Sequence, residues 1–186
     1  NPLPDDVLAT VAADTSYTGG VRNGGVKFTL DGSPQGRTAW MSEPYNAGPP
    51  GAVAGYVAYP SYDPDAWLNR IGPLLERRVP VLAHANGDAA IELMIDGVAN
   101  AIAAGPVPDH RSVIIHAQLI REDQLDRVAE LGIIPSFYSV HPFFWGDWHR
   151  LSFGEERARF ISPVQAAIAR GIPFTVHNDS PIVPPD

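Results

Sequence analysis

The chain has 186 residues, with 13 Lys+Arg against 21 Asp+Glu, a formal net charge of −8 and no cysteine. Its 45% hydrophobic and 18% charged residues suffice for a buried core and exclude a disordered polymer, and the acidic balance excludes a face built to bind nucleic acid. Without cysteine there is no disulfide framework, thiolate-held zinc or thiol catalysis, and no apolar run approaches the roughly 18 residues of a membrane span.

No membrane partner is therefore expected, and a cytoplasmic location is favoured. Asn1 is followed by neither a basic segment nor an apolar one, so no secretory leader is read there. The natural start is expected elsewhere, with residues 1–20 the tail of a preceding element.

Val26-Lys27-Phe28-Thr29-Leu30, closed by Asp31-Gly32, reads as the first strand. A long connection, residues 32–62, follows it. Asp63-Pro64 then opens a helix whose apolar stripe is Trp67, Leu68, Ile71, Leu74 and Leu75. Val79–His84 is the second strand, and Gly87-Asp88 starts a helix striped by Ile91, Met94, Ile95, Val98 and Ile102. Ser112–His116 is the third strand. The helix after it carries Glu122 and Asp123 in its first turn, where the helix dipole favours anions, and Leu125, Val128 and Ala129 on its apolar side. Ile133–Tyr138 is the fourth strand, followed by a second long connection over 139–160. Ser162-Pro163 opens a last helix that Gly171 closes, and Ile172–His177 is the fifth strand.

Near-continuous apolar strands alternating with amphipathic helices predict an α/β fold with a parallel sheet. The repeat fits an open doubly wound sheet or part of a (β/α)₈ barrel. Both long connections leave the C-terminal ends of strands, where such folds build active sites. They supply Arg37, Trp40, Tyr45, His141 and Trp145 as candidate substrate-facing residues.

The ionisable residues mark the same rim. His84 and His116 end the second and third strands, and Asp179 lies just past the fifth. Parallel strands aim their ends one way, so these side chains can converge, and imidazole and carboxylate suit Zn²⁺ and similar ions. Lys27 interrupts an apolar strand on the same alternating face as Thr29 and Asp31, and a buried lysine must be paired, deprotonated or modified. Singly, each has a plainer reading: a hydrogen-bonded histidine, a lysine on a solvated edge, an aspartate starting a turn.

The stretches Val26–Ser33, Gly36-Arg37-Thr38-Ala39, His84-Ala85-Asn86-Gly87-Asp88-Ala89-Ala90 and His177-Asn178-Asp179-Ser180-Pro181 resemble the amidohydrolase superfamily. More narrowly they are similar to amidohydrolase family 3, the branch with N-substituted formamide deformylase-like enzymes. The resemblance implies a TIM-type barrel with a metal site at its C-terminal rim. In it Lys27 matches the lysine of barrel strand 4, often carboxylated to bridge two metals. His84 and His116 match the metal ligands of strands 5 and 6, and Asp179 the strand-8 aspartate that accepts a proton from the attacking water and also contacts the metal. His177 would contact substrate or support the metal ligands, with Asn86 and Asp88 as supporting residues behind them.

The family also carries a His-x-His pair on strand 1. None of the six histidines here is two residues from another. The chain is thus read as about strands 4–8, an incomplete (β/α)₈ barrel that is the C-terminal part of a longer hydrolase. One divalent ion or none, Zn²⁺ first, is expected to bind. The implied activity is hydrolysis of a C–N bond in an amide- or formamide-like small molecule. The alternative is a non-catalytic, self-associating half-barrel, and the implied macromolecular partner is the missing barrel portion or a second copy of the chain.

Overall fold

All five apolar runs form strands in the computed structural model, which describes residues 3–107 and 109–183. They are β1 (Val26–Thr29), β2 (Val81–Ala85), β3 (Val113–His116), β4 (Ile134–Phe137) and β5 (Thr175–Val176). Each pairs in parallel with the next, giving the order β1-β2-β3-β4-β5. A doubly wound sheet reverses its order at a switch point. This sheet never does, so the chain has the architecture of a partial TIM-type barrel.

The helices are α1 (Asp5–Thr10), α2 (Pro64–Glu76), α3 (Asp88–Ala104), α4 (Glu122–Leu131), α5 (His141–Phe153), α6 (Glu155–Arg159) and α7 (Val164–Ala169). Local chemistry sets their ends. Asp63 caps α2 by accepting the Ala66 N–H at 2.8 Å, with Pro64 at the first helical position. Gly132 stops α4 in the left-handed conformation (φ 68°). No helix among the described residues is long and apolar enough to cross a membrane.

The core lies between the sheet and its helices. Val26 and Phe28, Val81, Ala83 and Ala85, Ile114 and Phe137 point to that side and are buried. Trp67 of α2 packs against both β1 and α3: its ring meets Phe28 edge-on at 4.9 Å, and its indole N–H donates to the Leu93 carbonyl at 3.1 Å. The other face of the sheet is only partly covered. Lys27, Leu82, Val113 and Ile134 share one row across it, and Thr29, His84, Ile115, Ser136 and Thr175 the next.

Residues 139–160, expected as a long loop, are mostly helical instead and contain the whole of α5 and α6. Their pattern conceals this because much of the apolar period of α5 lies on its exposed side, with only Phe153 among its large apolar residues fully buried. Its buried residues include His141, His149 and Ser152, while Phe143, Phe144, Trp148 and Leu151 are exposed. The first long connection does remain irregular, with no helix or strand between β1 and α2.

Candidate metal centre

Three imidazoles meet at the C-terminal ends of β2, β3 and β5. His84 Nδ1 lies 3.1 Å from His116 Nε2, and His116 Nδ1 lies 3.1 Å from His177 Nε2. His116 reaches this position through its backbone. By register it pairs with Ala85 and Phe137, and it follows Ile114 by two, so plain alternation aims it at the helices. Its φ of 76°, followed by 46° at Ala117, breaks the alternation and sets the ring against His84 and His177. Left-handed backbone at two successive non-glycine residues costs energy, and such strain concentrates at functional sites.

The outer nitrogens are also engaged. His84 Nε2 is 2.9 Å from the Gly32 carbonyl oxygen, to which Asn86 Nδ2 donates at 2.9 Å. His177 Nδ1 is 3.0 Å from Ser136 Oγ, which accepts from Thr175 Oγ1 at 2.8 Å, and the ring of His177 stacks on Tyr138. Burial pushes His116 down to about 3, helped by the facing histidines and Lys27. Burial also lowers His84, which Gly32 partly counteracts, and His177, which Asp179 partly counteracts. All three are therefore neutral at pH 7, with a lone pair to offer.

Lys27 is exposed on the uncovered face of β1, close enough for its charge to depress all three histidines. Asp179 is exposed, with a left-handed φ of 58°. Ligand atoms of His116, His177 and Asp179 lie within 4.8 Å of one another. The structure thus brings His84, His116, His177 and Asp179 to one rim, with Lys27 beside them.

The family's sequence pattern matches residues 5–186. The chain belongs to the amidohydrolase family. It is 29% identical over 170 residues to YtcJ of Bacillus subtilis (strain 168), a protein named as an amidohydrolase, covering 89% of this chain and 30% of YtcJ. Two solved structures of uncharacterised metal-dependent hydrolases superpose with a TM-score of 0.77. The one from Pyrococcus furiosus is 28% identical, with 96% of this chain and 36% of that chain covered. The one from Pyrococcus horikoshii OT3 is 25% identical, with 97% and 34% covered. This amidohydrolase chain spans about a third of the length of each.

The donor set of this amidohydrolase fits a divalent ion. Two nitrogen ligands about 2.0–2.1 Å from a tetrahedral Zn²⁺ stand roughly 3.3 Å apart, close to the separation of His84 Nδ1 and His116 Nε2. Binding there requires both nitrogens bare, with the hydrogens on the outer nitrogens. Those face acceptors: Gly32 O for His84, and His177 Nε2 for His116. Such outer partners fix the tautomer of a metal-binding imidazole.

Behind the histidines stands Asp31, a residue whose importance the strand pattern did not signal. It is 1% exposed, lies 3.6 Å from His84 Nε2, and accepts three backbone N–H groups: Asn86 (3.0 Å), Trp40 (3.0 Å) and Gly87 (2.7 Å). Burial raises its pKa to about 7 against the pull of those donors. Ser136 and Tyr138, at the end of the fourth strand, support His177. Their signal is alternation, since Ser136 shares a row with His84.

The remaining candidates divide. His141 is buried, 6.3 Å from the His116 ring, with its Nδ1 3.3 Å from Ser162 Oγ, and burial lowers it to about 2. Trp145 packs on His141 and Tyr138. Asn86 sits against His84, whereas Asp88 is held by the Ser42 N–H and hydroxyl and by Arg121. Arg37 pins the first long loop to α5, donating to Ser152 Oγ (3.0 Å) and the Gly48 carbonyl (2.7 Å) beneath the Trp148 ring. Tyr45 is buried in a small satellite core with its hydroxyl on the Ala39 carbonyl, and Trp40 packs on the main core. A cavity of about 550 Å³ opens beside Ser42, Asp88, Arg121 and Arg157, away from the histidines.

Proposed function

We propose that this chain carries the metal-binding rim of a hydrolase acting on the C–N bond of a small amide- or formamide-like molecule. The observation that supports it most is the pair of facing nitrogens, His84 Nδ1 and His116 Nε2, 3.1 Å apart. In this reading His84 and His116 hold a divalent ion, Zn²⁺ first, with Lys27 and Asp179 completing its surroundings. The ion would acidify a water and polarise the scissile carbonyl.

The chain's own groups do the rest. Asp179 accepts the proton of the attacking water and returns it to the amine nitrogen as the C–N bond breaks, so that water and amide become carboxylic acid and amine. His177 keeps the Nδ1 hydrogen of His116 in place and passes its own hydrogen bond to Ser136. Tyr138 backs His177, limiting water on that side.

Metal binding tests this reading. Wild-type protein is expected to bind about one Zn²⁺ in competition with a chromophoric chelator, and His84→Ala or His116→Ala to weaken binding at least 100-fold. Unchanged affinity in both variants would refute the site. A second reading, a half-barrel that associates with another chain, is supported by the edges of β1 and β5, each paired on one side only among the described residues. It requires a stable, chelator-resistant oligomer by light scattering.

A further inference from the structure

Another cavity of about 550 Å³ opens at the far end of the sheet from the histidines, where β2 and β3 begin. Its wall carries four arginines, Arg22, Arg77, Arg78 and Arg111, against two carboxylates, Asp14 and Asp109. In a chain with 13 Lys+Arg and 21 Asp+Glu, this reverses the overall balance. Both carboxylates are already engaged. Arg111 grips the two oxygens of Asp109 at 2.8–3.1 Å, and Asp14 accepts the Asn23 N–H at 2.6 Å. Arg77 donates to the Leu8 and Ala9 carbonyls at the end of α1, and Arg22 lies over the Tyr17 ring. The Arg78 guanidinium has no hydrogen-bond or ion-pair partner among the described residues. Three cationic side chains thus line the cavity without a paired carboxylate.

The backbone at Arg78 adds a second observation. Its N–H bonds to the Leu75 carbonyl at 2.9 Å and that of Val79 to the Leu74 carbonyl at 3.0 Å, a helix closure that sets one residue in the left-handed conformation. Helices α4 and α7 close with the same pair of bonds, on Gly132 (φ 68°) and Gly171 (φ 66°). In α2 the same place is held by Arg78, at φ 59°. Glycine takes this conformation without steric cost and arginine does not. A cation gains from a helix C-terminus, but Arg77 beside it already supplies one. Asp109 (φ 50°) and Arg111 (φ 47°), in the same wall, are left-handed too, and such strain gathers at ligand clamps.

We propose that this cavity binds a small anion carrying two or more phosphoryl or carboxylate groups, held by Arg22, Arg77 and Arg78. Guanidinium forks match the oxygens of such groups in pairs. The volume leaves room for more than one group, while three arginines are too few to follow a nucleic-acid backbone. The site lies at the opposite strand ends from the metal centre and stands or falls independently of it.

The experiment is isothermal titration calorimetry of the full chain with pyrophosphate, citrate and inorganic phosphate at one ionic strength. The proteins are wild type, Arg78→Gly, Arg22→Gln and an Arg150→Gln/Arg159→Gln control, which removes two exposed arginines elsewhere. Wild type is expected to bind pyrophosphate or citrate at least about tenfold more tightly than inorganic phosphate, and the tighter of the two identifies the groups as phosphoryl or carboxylate. Arg78→Gly should weaken that binding about tenfold while its melting temperature holds or rises by up to about 4 °C, because glycine suits the left-handed position. Arg22→Gln, at an exposed side chain, should also weaken it. Wild type binding neither anion more tightly than inorganic phosphate overturns the site. So does full affinity in both Arg78→Gly and Arg22→Gln. An equal loss in the control shows an effect of overall charge alone, and the proposal then fails.

Discussion

Replacing Asp31 by alanine removes the acceptor for three backbone N–H groups at once. Asn86 donates to Oδ1, and Trp40 and Gly87 to Oδ2, at 2.7–3.0 Å, in a place where Asp31 is 1% exposed. A hydrogen bond contributes about 0.5–1.5 kcal/mol net to a neutral group and about 1.5–3 kcal/mol to a charged one, and a buried donor left alone costs about 1–3 kcal/mol. With a pKa of about 7, Asp31 is divided between the two forms at pH 7. Three such losses, offset by the carboxylate's own desolvation and by water entering the gap, come to roughly 3–6 kcal/mol. Asp31→Asn keeps one oxygen for Trp40 and Gly87 but turns an amide toward the Asn86 N–H, for about 1–3 kcal/mol. Urea unfolding followed by circular dichroism measures both. With a slope of about 2 kcal/mol per molar for a chain of this size, the alanine midpoint falls by about 1.5–3 M and the asparagine midpoint by about half that or less. An alanine variant within about 1 kcal/mol of wild type would refute the idea that Asp31 joins β1, the Trp40 loop and the start of α3.

The same residue sets a pH dependence. Because folding raises its pKa from 3.8 to about 7, the folded chain holds the proton more tightly, so this contribution is full below about pH 4 and lost as pH rises through about 7. The stability difference between wild type and Asp31→Asn should shrink from pH 5 to pH 8, and a constant difference would contradict it. Gly87→Ala should cost about 1–3 kcal/mol, since an added Cβ overlaps the Trp40 carbonyl, whereas Gly72→Ala in α2, facing open space, should stabilise by up to about 1 kcal/mol. Thermal melts of the pair decide this. Within the proposed metal site, His177→Phe should lower Zn²⁺ affinity about 10- to 100-fold, and His177→Gln, whose carboxamide oxygen can accept from His116 Nδ1, should recover most of it. Equal losses would show that His177 does not act through His116.

The strands were legible because Val79–Ala83 and Val113–Ile115 are apolar without interruption, which a sheet covered by helices demands. Their order was open to local pattern, which fits a doubly wound sheet equally well, and the resemblance to the amidohydrolases supplied the barrel order that the sheet has. His84 and Asp179 were legible by position at strand ends. His116 also ends its strand, but alternation aims it at the helices and only its left-handed backbone turns it toward His84. Asp31 stayed hidden because its partners are main-chain N–H groups at 40, 86 and 87, which carry no residue-type signature. Helix α5 was missed because the apolar period that reveals helices lies on its exposed side. Arg37 and Tyr45 were chosen as loop residues of suitable chemistry, and the structure engages both in holding the loop together.

The strictly sequential strand order has a consequence for how this rim comes into being. Every sheet contact joins one strand–helix unit to the next along the chain, so each unit can dock on the one before it without waiting for a later one. During synthesis the scaffold would grow unit by unit from the N-terminal side. His84 and His116 would be set in place while His177 and Asp179 were still to come. Within this stretch of chain, the rim would therefore be completed only when its last residues had been made.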